Sequence, residues 1–291
     1  MAALEASPPD FGAQLEKVIH ARIASDTLVL PAMPETAAQI VGLMRSPAAA
    51  IKDIAQAVER DPLLCAQLLR IAAAAAHGQG AVASAEAALD RLGPQRVRPL
   101  VIAWSTRRLF VSHDAHIRSA MAGIWERSLM IGLLARDLTA LSGSAAPETA
   151  FLAGLLQDIG RPVVASFLLE LEKHAESRKQ RTLSPATFRT LVDQLATSVG
   201  IALVDRWQLE PDFASAVKSP GDFDAGNRAS VPNFVRFAAA VVTTIDPPPR
   251  PESLDEARAL VMVGRSLLDL DDEIVGRVTK DLKERARKLM Q

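Results

Sequence analysis

Tyrosine is missing from this 291-residue chain, and aromatic residues together make up 4% of it. Strands favour aromatic and β-branched residues, so this scarcity, set against abundant Ala and Leu, points to packed helices. The single cysteine, Cys65, excludes an intramolecular disulfide and any cysteine-based zinc knuckle. It lies on the apolar face of "DPLLCAQLLR", which is expected to be a buried, inert thiol. The apolar runs are shorter than the roughly 20 residues that a bilayer span requires. "FVRFAAAVVTTI" (234–245), for instance, is interrupted by Arg236. The start, "MAALEASPPDFG", lacks the basic and apolar regions of a signal peptide. A soluble cytoplasmic protein is therefore expected. A formal net charge of -1 gives no reason to expect nucleic acid or an anionic membrane as partner. No Gly-rich phosphate loop and no GxSxG elbow is present, which removes the common nucleotide-binding and serine-hydrolase motifs.

Helix punctuation is plentiful. Ser46 and Pro47 are placed to cap and open a helix whose apolar face carries Ile51, Ile54, Ala55 and Val58. Asp61-Pro62 repeats the device before "LLCAQLLRIAAAAA", and Ser84 starts a further helix that ends near Gly93-Pro94. Ile117, Met121, Ile124, Ser128, Ile131, Ala135 and Leu138 step by three and four, the period of a long amphipathic helix. Pro147 opens the helix through "FLAGLLQDIG", with Gly160 at its end and Pro162 in the first turn of the next. Ser184-Pro185 opens another, continuing to Val199, Leu203 and Trp207. The stretch 218–232 reads as a loop. An apolar helix to Ile245, a stiff "DPPPRP" spacer and two amphipathic helices complete an all-α chain.

Two features invite a chemical reading. The five histidines (His20, His77, His113, His116 and His174) do not pair with Asp or Glu at helical metal-site spacing. His113 and His116 are the nearest to a cluster, and exposed imidazoles are the expectation there. The basic set Arg91, Arg96, Arg98, Arg107 and Arg108 could hold a phosphate or an acidic partner, or form a solvated face with charges at helix ends. The polar pair Gln157-Asp158 interrupts an otherwise apolar helix end, where an acid opposes the helix dipole.

The order "LPAMPE" (30–35), "IAQAVERDPLLCAQLLRIAAAAAHG" (54–78), "VASAEAALDRLGPQRVRPLV" (82–101), "WERSL" (125–129) and "FLAGLLQDIG" (151–160) resembles the HDOD, or HD-related output, domain. The resemblance implies a multi-helix bundle related to HD-type metal-dependent phosphohydrolases, with an N-terminal helical subdomain and a regulatory role in bacterial signalling, in some relatives as a response-regulator output. It also implies that the turn at 157–158 corresponds to a metal-binding His-Asp pair. Here Gln157 replaces the histidine and Asp158 remains. Arg127, the pair Thr197 and Ser198, and the pair Lys218 and Ser219 stand where relatives often carry further histidines. A glutamine amide cannot replace an imidazole on a transition metal, and a guanidinium offers no lone pair. A degenerate site without metal, cofactor or catalytic residue is the expectation.

Two arrangements stay open for that site. Arg127 could pair with Asp158, directly or through Gln157, taking over the electrostatic role of the ion. Alternatively Arg127 faces solvent and Asp158 caps the following helix. The expected organisation is a 1–24 extension, an N-terminal helical part over 25–115, a degenerate HD-like core over 116–220 and a C-terminal helical part over 221–291. The expected function is a non-enzymatic regulatory domain that binds a protein partner. One alternative is a sensor for a nucleotide or phosphate, using Arg127, Asp158 and Arg161. The other is an HD-type phosphohydrolase, whose metal ligands are missing.

Overall fold

The computed structural model describes residues 17–19, 21–22, 25, 30–46, 48–75, 82–112, 114, the backbone of 115–116, 117–143, 146–173, the backbone of 174–177, 183–218, 222–247, the backbone of 252–253, and 254–290. Among them the chain is all helix and turn, with no strand. The N-terminal lobe comprises α1 (Glu35–Arg45), α2 (Ile51–Glu59), α3 (Pro62–Ala74), α4 (Ala85–Leu92) and α5 (Pro94–Thr106), followed by a 3-10 turn, Arg107–Phe110. Then come α6 (Ala115–Leu141), α7 (Pro147–Leu156), α8 (Gly160–Ser177), α9 (Pro185–Arg206) and α10 (Pro211–Lys218). The last four helices are α11 (Val231–Ile245), α12 (Glu252–Leu268), α13 (Asp272–Thr279) and α14 (Leu282–Met290).

Local chemistry explains most boundaries. Asp61 accepts from the amides of Leu63 and Leu64, Ser84 from Ala87 and Ser184 from Thr187, so each caps its helix as its position predicts. The Ser46-Pro47 start is corrected: Ser46 closes α1, and the next helix begins at Ile51. There Asp53 reaches back to accept from the Ala50 amide at 3.1 Å, which fixes the start later in the chain. The end of the chain holds three helices, not two. It breaks at Asp269 and Asp281, both left-handed (φ 54° and 58°), and Asp271 then caps α13 by accepting from Ile274. Asp tolerates that conformation better than most residues, so no glycine marks these breaks.

Two apolar cores result. Ile40, Val58, Leu68, Leu89 and Val101 centre the one in the N-terminal lobe. The larger is built on α6, α7, α9 and α11. Helix α11 is buried from Val231 through Thr243, and its polar residues Asn233, Arg236 and Thr243 are buried with hydrogen-bond partners. Met33 and Leu100 pack against both cores and join the lobes. Close crossings need glycine. A Cβ on Gly154 would stand 2.8 Å from the Gly132 Cα of α6. Pro147–Lys173 is long and apolar enough for a bilayer span by length and composition alone. It is two helices separated by a turn, and 61% of its apolar window is buried in the protein.

Cys65 is half-buried, less enclosed than the sequence predicts, and burial with nearby Glu59 raises its thiol pKa. We expect Cys65 to react with iodoacetamide at pH 8 more slowly than free cysteine, as timed by mass spectrometry, because less of it is thiolate.

Candidate functional site

The Gln157-Asp158 pair is not in the last turn of a helix. Helix α7 ends at Leu156, and residues 157–159 form a turn that leads into α8 at Gly160. Asp158 therefore lies at the N-terminal side of α8, where a carboxylate is favoured by the helix dipole. Gly160 begins α8 instead of ending α7, and its missing side chain lets α8 meet the backbone of α9 at Ala196 and Gly200.

Both carboxylate oxygens of Asp158 are engaged. Arg161 Nε donates to Oδ1 at 2.9 Å, and Gln157 Nε2 donates to Oδ2 at 3.3 Å. The other edge of the same guanidinium donates from Nη1 to Asp193 Oδ1 at 2.5 Å. Arg161 thus ties the turn to α9. Burial acts to lower its pKa, but Asp158 and Asp193 outweigh burial and the net shift is upward. It remains a guanidinium cation throughout the working pH range.

Arg127 takes neither arrangement anticipated for it. Its Nη2 donates to Thr243 Oγ1 at 2.5 Å and to the Ala239 carbonyl at 3.4 Å, both on α11. It forms no ion pair with Asp158, and it is half-buried rather than turned to solvent. Burial lowers its pKa, the charge of Asp158 opposes that shift, and Arg161 reinforces it. Asp246, the other acidic neighbour, is held by Lys283 of α14 at 2.7 Å. Arg127 consequently sits in the field of Asp158 while its hydrogen bonds go elsewhere.

Of the other anticipated positions, Thr197 is exposed and Ser198 half-buried on α9, and Lys218 is exposed at the end of α10. No hydrogen bond joins these three to the Asp158 network. Ser219 lies outside the described residues, as do the side chains of all five histidines. Among the described residues, no three His, Cys, Asp or Glu side chains group to hold a metal. Sequence reasoning missed Asp193, Thr243 and Asp246. Asp193 lies one turn before Thr197 on the same side of α9, yet nothing local distinguishes it from any other surface acid.

Four of the five arginines in the basic set do not assemble either. Arg96 pairs with Glu148 at 3.1 Å, Arg108 with Asp61 at 3.1 Å, and Arg98 with Glu210. Arg107 stacks over Trp104 and donates to the Met290 carbonyl at 2.8 Å. These contacts fasten separate elements together, so the four do not form one anion-binding surface.

Arg161→Ala would leave Asp158 with Gln157 alone and would cut the link to Asp193. A loss of about 1–2 kcal/mol in urea denaturation is expected. Arg161→Lys should restore little of it, since an ammonium cannot span two carboxylates with a fork.

The candidate site is thus a carboxylate-bearing turn between α7 and α8 of an all-helical bundle. The HDOD domain family model matches residues 30–221, and the chain belongs to that family. Solved structures agree in fold. A Shewanella amazonensis SB2B protein, provisionally named a metal-dependent phosphohydrolase, is 20% identical with a TM-score of 0.74, covering 96% of this chain and 99% of that one. A Geobacter sulfurreducens HDOD domain protein of unknown function is 19% identical with a TM-score of 0.62, covering 95% of this chain and 99% of that one. A Marinobacter aquaeolei VT8 protein, provisionally named a signal transduction protein, is 22% identical with a TM-score of 0.61; 97% of this chain aligns to 65% of that one. Comparison with curated protein sequences finds no match.

Proposed function

We propose that this protein is a non-catalytic HDOD domain of bacterial signal transduction that acts by binding a protein partner. The observation that carries this reading is the setting of Asp158: Arg161 and Gln157 hydrogen-bond to its two carboxylate oxygens, so a guanidinium balances the charge that a metal ion would otherwise balance. A fixed cation has replaced the exchangeable one, so the turn keeps its shape without supplying a Lewis acid or a metal-bound hydroxide. The Marinobacter protein named for signal transduction shares the fold and supports the same direction. A net charge of -1 gives no electrostatic reason to expect nucleic acid or an anionic membrane as partner.

The sensor alternative fits less well. An incoming phosphate would have to displace Asp158 and Asp193 from Arg161, and Arg127 is already bonded to α11. The test is metal analysis of purified protein, with a phosphatase and phosphodiesterase assay in added manganese. We expect no stoichiometric metal and no turnover above the protein-free rate. Bound metal together with turnover lost in Asp158→Asn would overturn the proposal.

A further inference from the structure

A second feature lies roughly 20 Å along α9 from Asp193, 14 residues on at the helical rise. Where α1 meets the end of α9, a cavity of about 370 Å³ opens between Met33, Gly42 and Trp207. Its size falls within the usual range for small-ligand sites, and it sits at a seam between two lobes, where such sites are common.

The walls are preformed. Trp207 Nε1 donates to the Pro31 carbonyl at 3.0 Å, which fixes the indole against the segment leading into α1. Gln208, the next residue, is left-handed at φ 53°, an uncommon conformation for a side chain without a short polar group. Arg45 Nη2 holds that strained residue by donating to its carbonyl at 3.2 Å. On the α1 side the hollow opens to solvent at Gly42, which is exposed and where a built Cβ would meet nothing within 4 Å.

The rim carries charged side chains, of which Arg45 matters here. Arg45 and Arg206 both line the cavity. Glu210 is the carboxylate beside Arg45, at 3.9 Å, and Arg98 engages the same oxygen more closely. One carboxylate therefore serves two guanidiniums, which leaves Arg45 incompletely neutralised beside an apolar hollow.

We propose that this cavity binds a small amphipathic anion, with its acidic head on Arg45 and its apolar part over Gly42, against Met33 and Trp207. The site shares no lining residue with the Asp158 turn. A charge-assisted hydrogen bond gives the head group its hold, and burial of the tail gives the rest.

The probe is 8-anilinonaphthalene-1-sulfonate, titrated into the full chain and followed by fluorescence. We expect saturable binding with one equivalent per chain. Gly42→Leu should fill the hollow and weaken binding at least tenfold while the melting transition is retained. Arg45→Gln, which removes the charge at the rim, should weaken it roughly tenfold while the melting transition is retained. Octanoate should displace the probe, and 1-octanol at the same concentration should not. No saturable binding, unchanged affinity in a folded Gly42→Leu variant or in Arg45→Gln, or equal displacement by the alcohol would each overturn the assignment.

Discussion

Gly160→Ala is expected to cost about 3 kcal/mol of stability. The added Cβ would fall on the Ala196 carbonyl and lie 2.8 Å from the Gly200 amide nitrogen. Both obstacles are main chain, so no side chain can rotate away and the two helices must separate. Separation would also draw Arg161 from Asp193, a contact that holds the 157–159 turn against α9. Gly42→Ala is the natural control. It introduces the same methyl group into a helix where nothing lies within 4 Å, and it should stabilise by roughly 0.5–1 kcal/mol. Guanidinium chloride denaturation of the two variants reads the contrast directly. Equal stability of Gly160→Ala and the parent would show that α8 and α9 do not need this close approach.

Asn233→Ala is the second substitution with a large expected effect, about 2–4 kcal/mol. Asn233 is fully buried on α11 and organises the loop before it. Its Oδ1 accepts from the Asp224 amide at 2.9 Å, and its Nδ2 is shared among the carbonyls of Asp224, Asn227 and Arg228. Buried Arg236, one turn later, donates to the same Oδ1 at 3.3 Å and to the Ser215 carbonyl of α10 at 3.3 Å. Truncation would strip several backbone groups of their partner and remove a bond from a desolvated guanidinium, whose pKa burial already lowers. Hydrogen exchange should show the amides of 224–230 losing protection ahead of α6 and α7. Uniform protection across these elements would place the loop's stability elsewhere.

The elements that were legible in advance are those whose signals are local. Asp61, Ser84 and Ser184 cap where they stand, because a capping oxygen needs only the amide two or three residues on. The long helix α6 is readable from its apolar period, and Met121, Ser128, Ile131, Ala135 and Leu138 are buried as that period requires. The misreadings share a cause. Ser46 looked like a cap, yet Asp53 moved the start of α2 to Ile51. The terminal helices break at aspartates in a left-handed conformation, which no Gly or Pro announces.

The candidate site divides the same way. That Gln157 and Asp158 could not form an intact His-Asp pair was determined by the sequence alone, since residue chemistry does not depend on the fold. So was the all-α class, which composition and helix punctuation both required. The sequence could not say which arginine would answer Asp158. Arg127 carries the right charge, but α11 offers it a threonine hydroxyl and a carbonyl, while Arg161 lies three residues from Asp158 and faces Asp193 across the α8–α9 crossing. That choice belongs to tertiary structure. Which cation reaches a carboxylate is set by where helices cross, and here a glycine at position 160 sets the crossing.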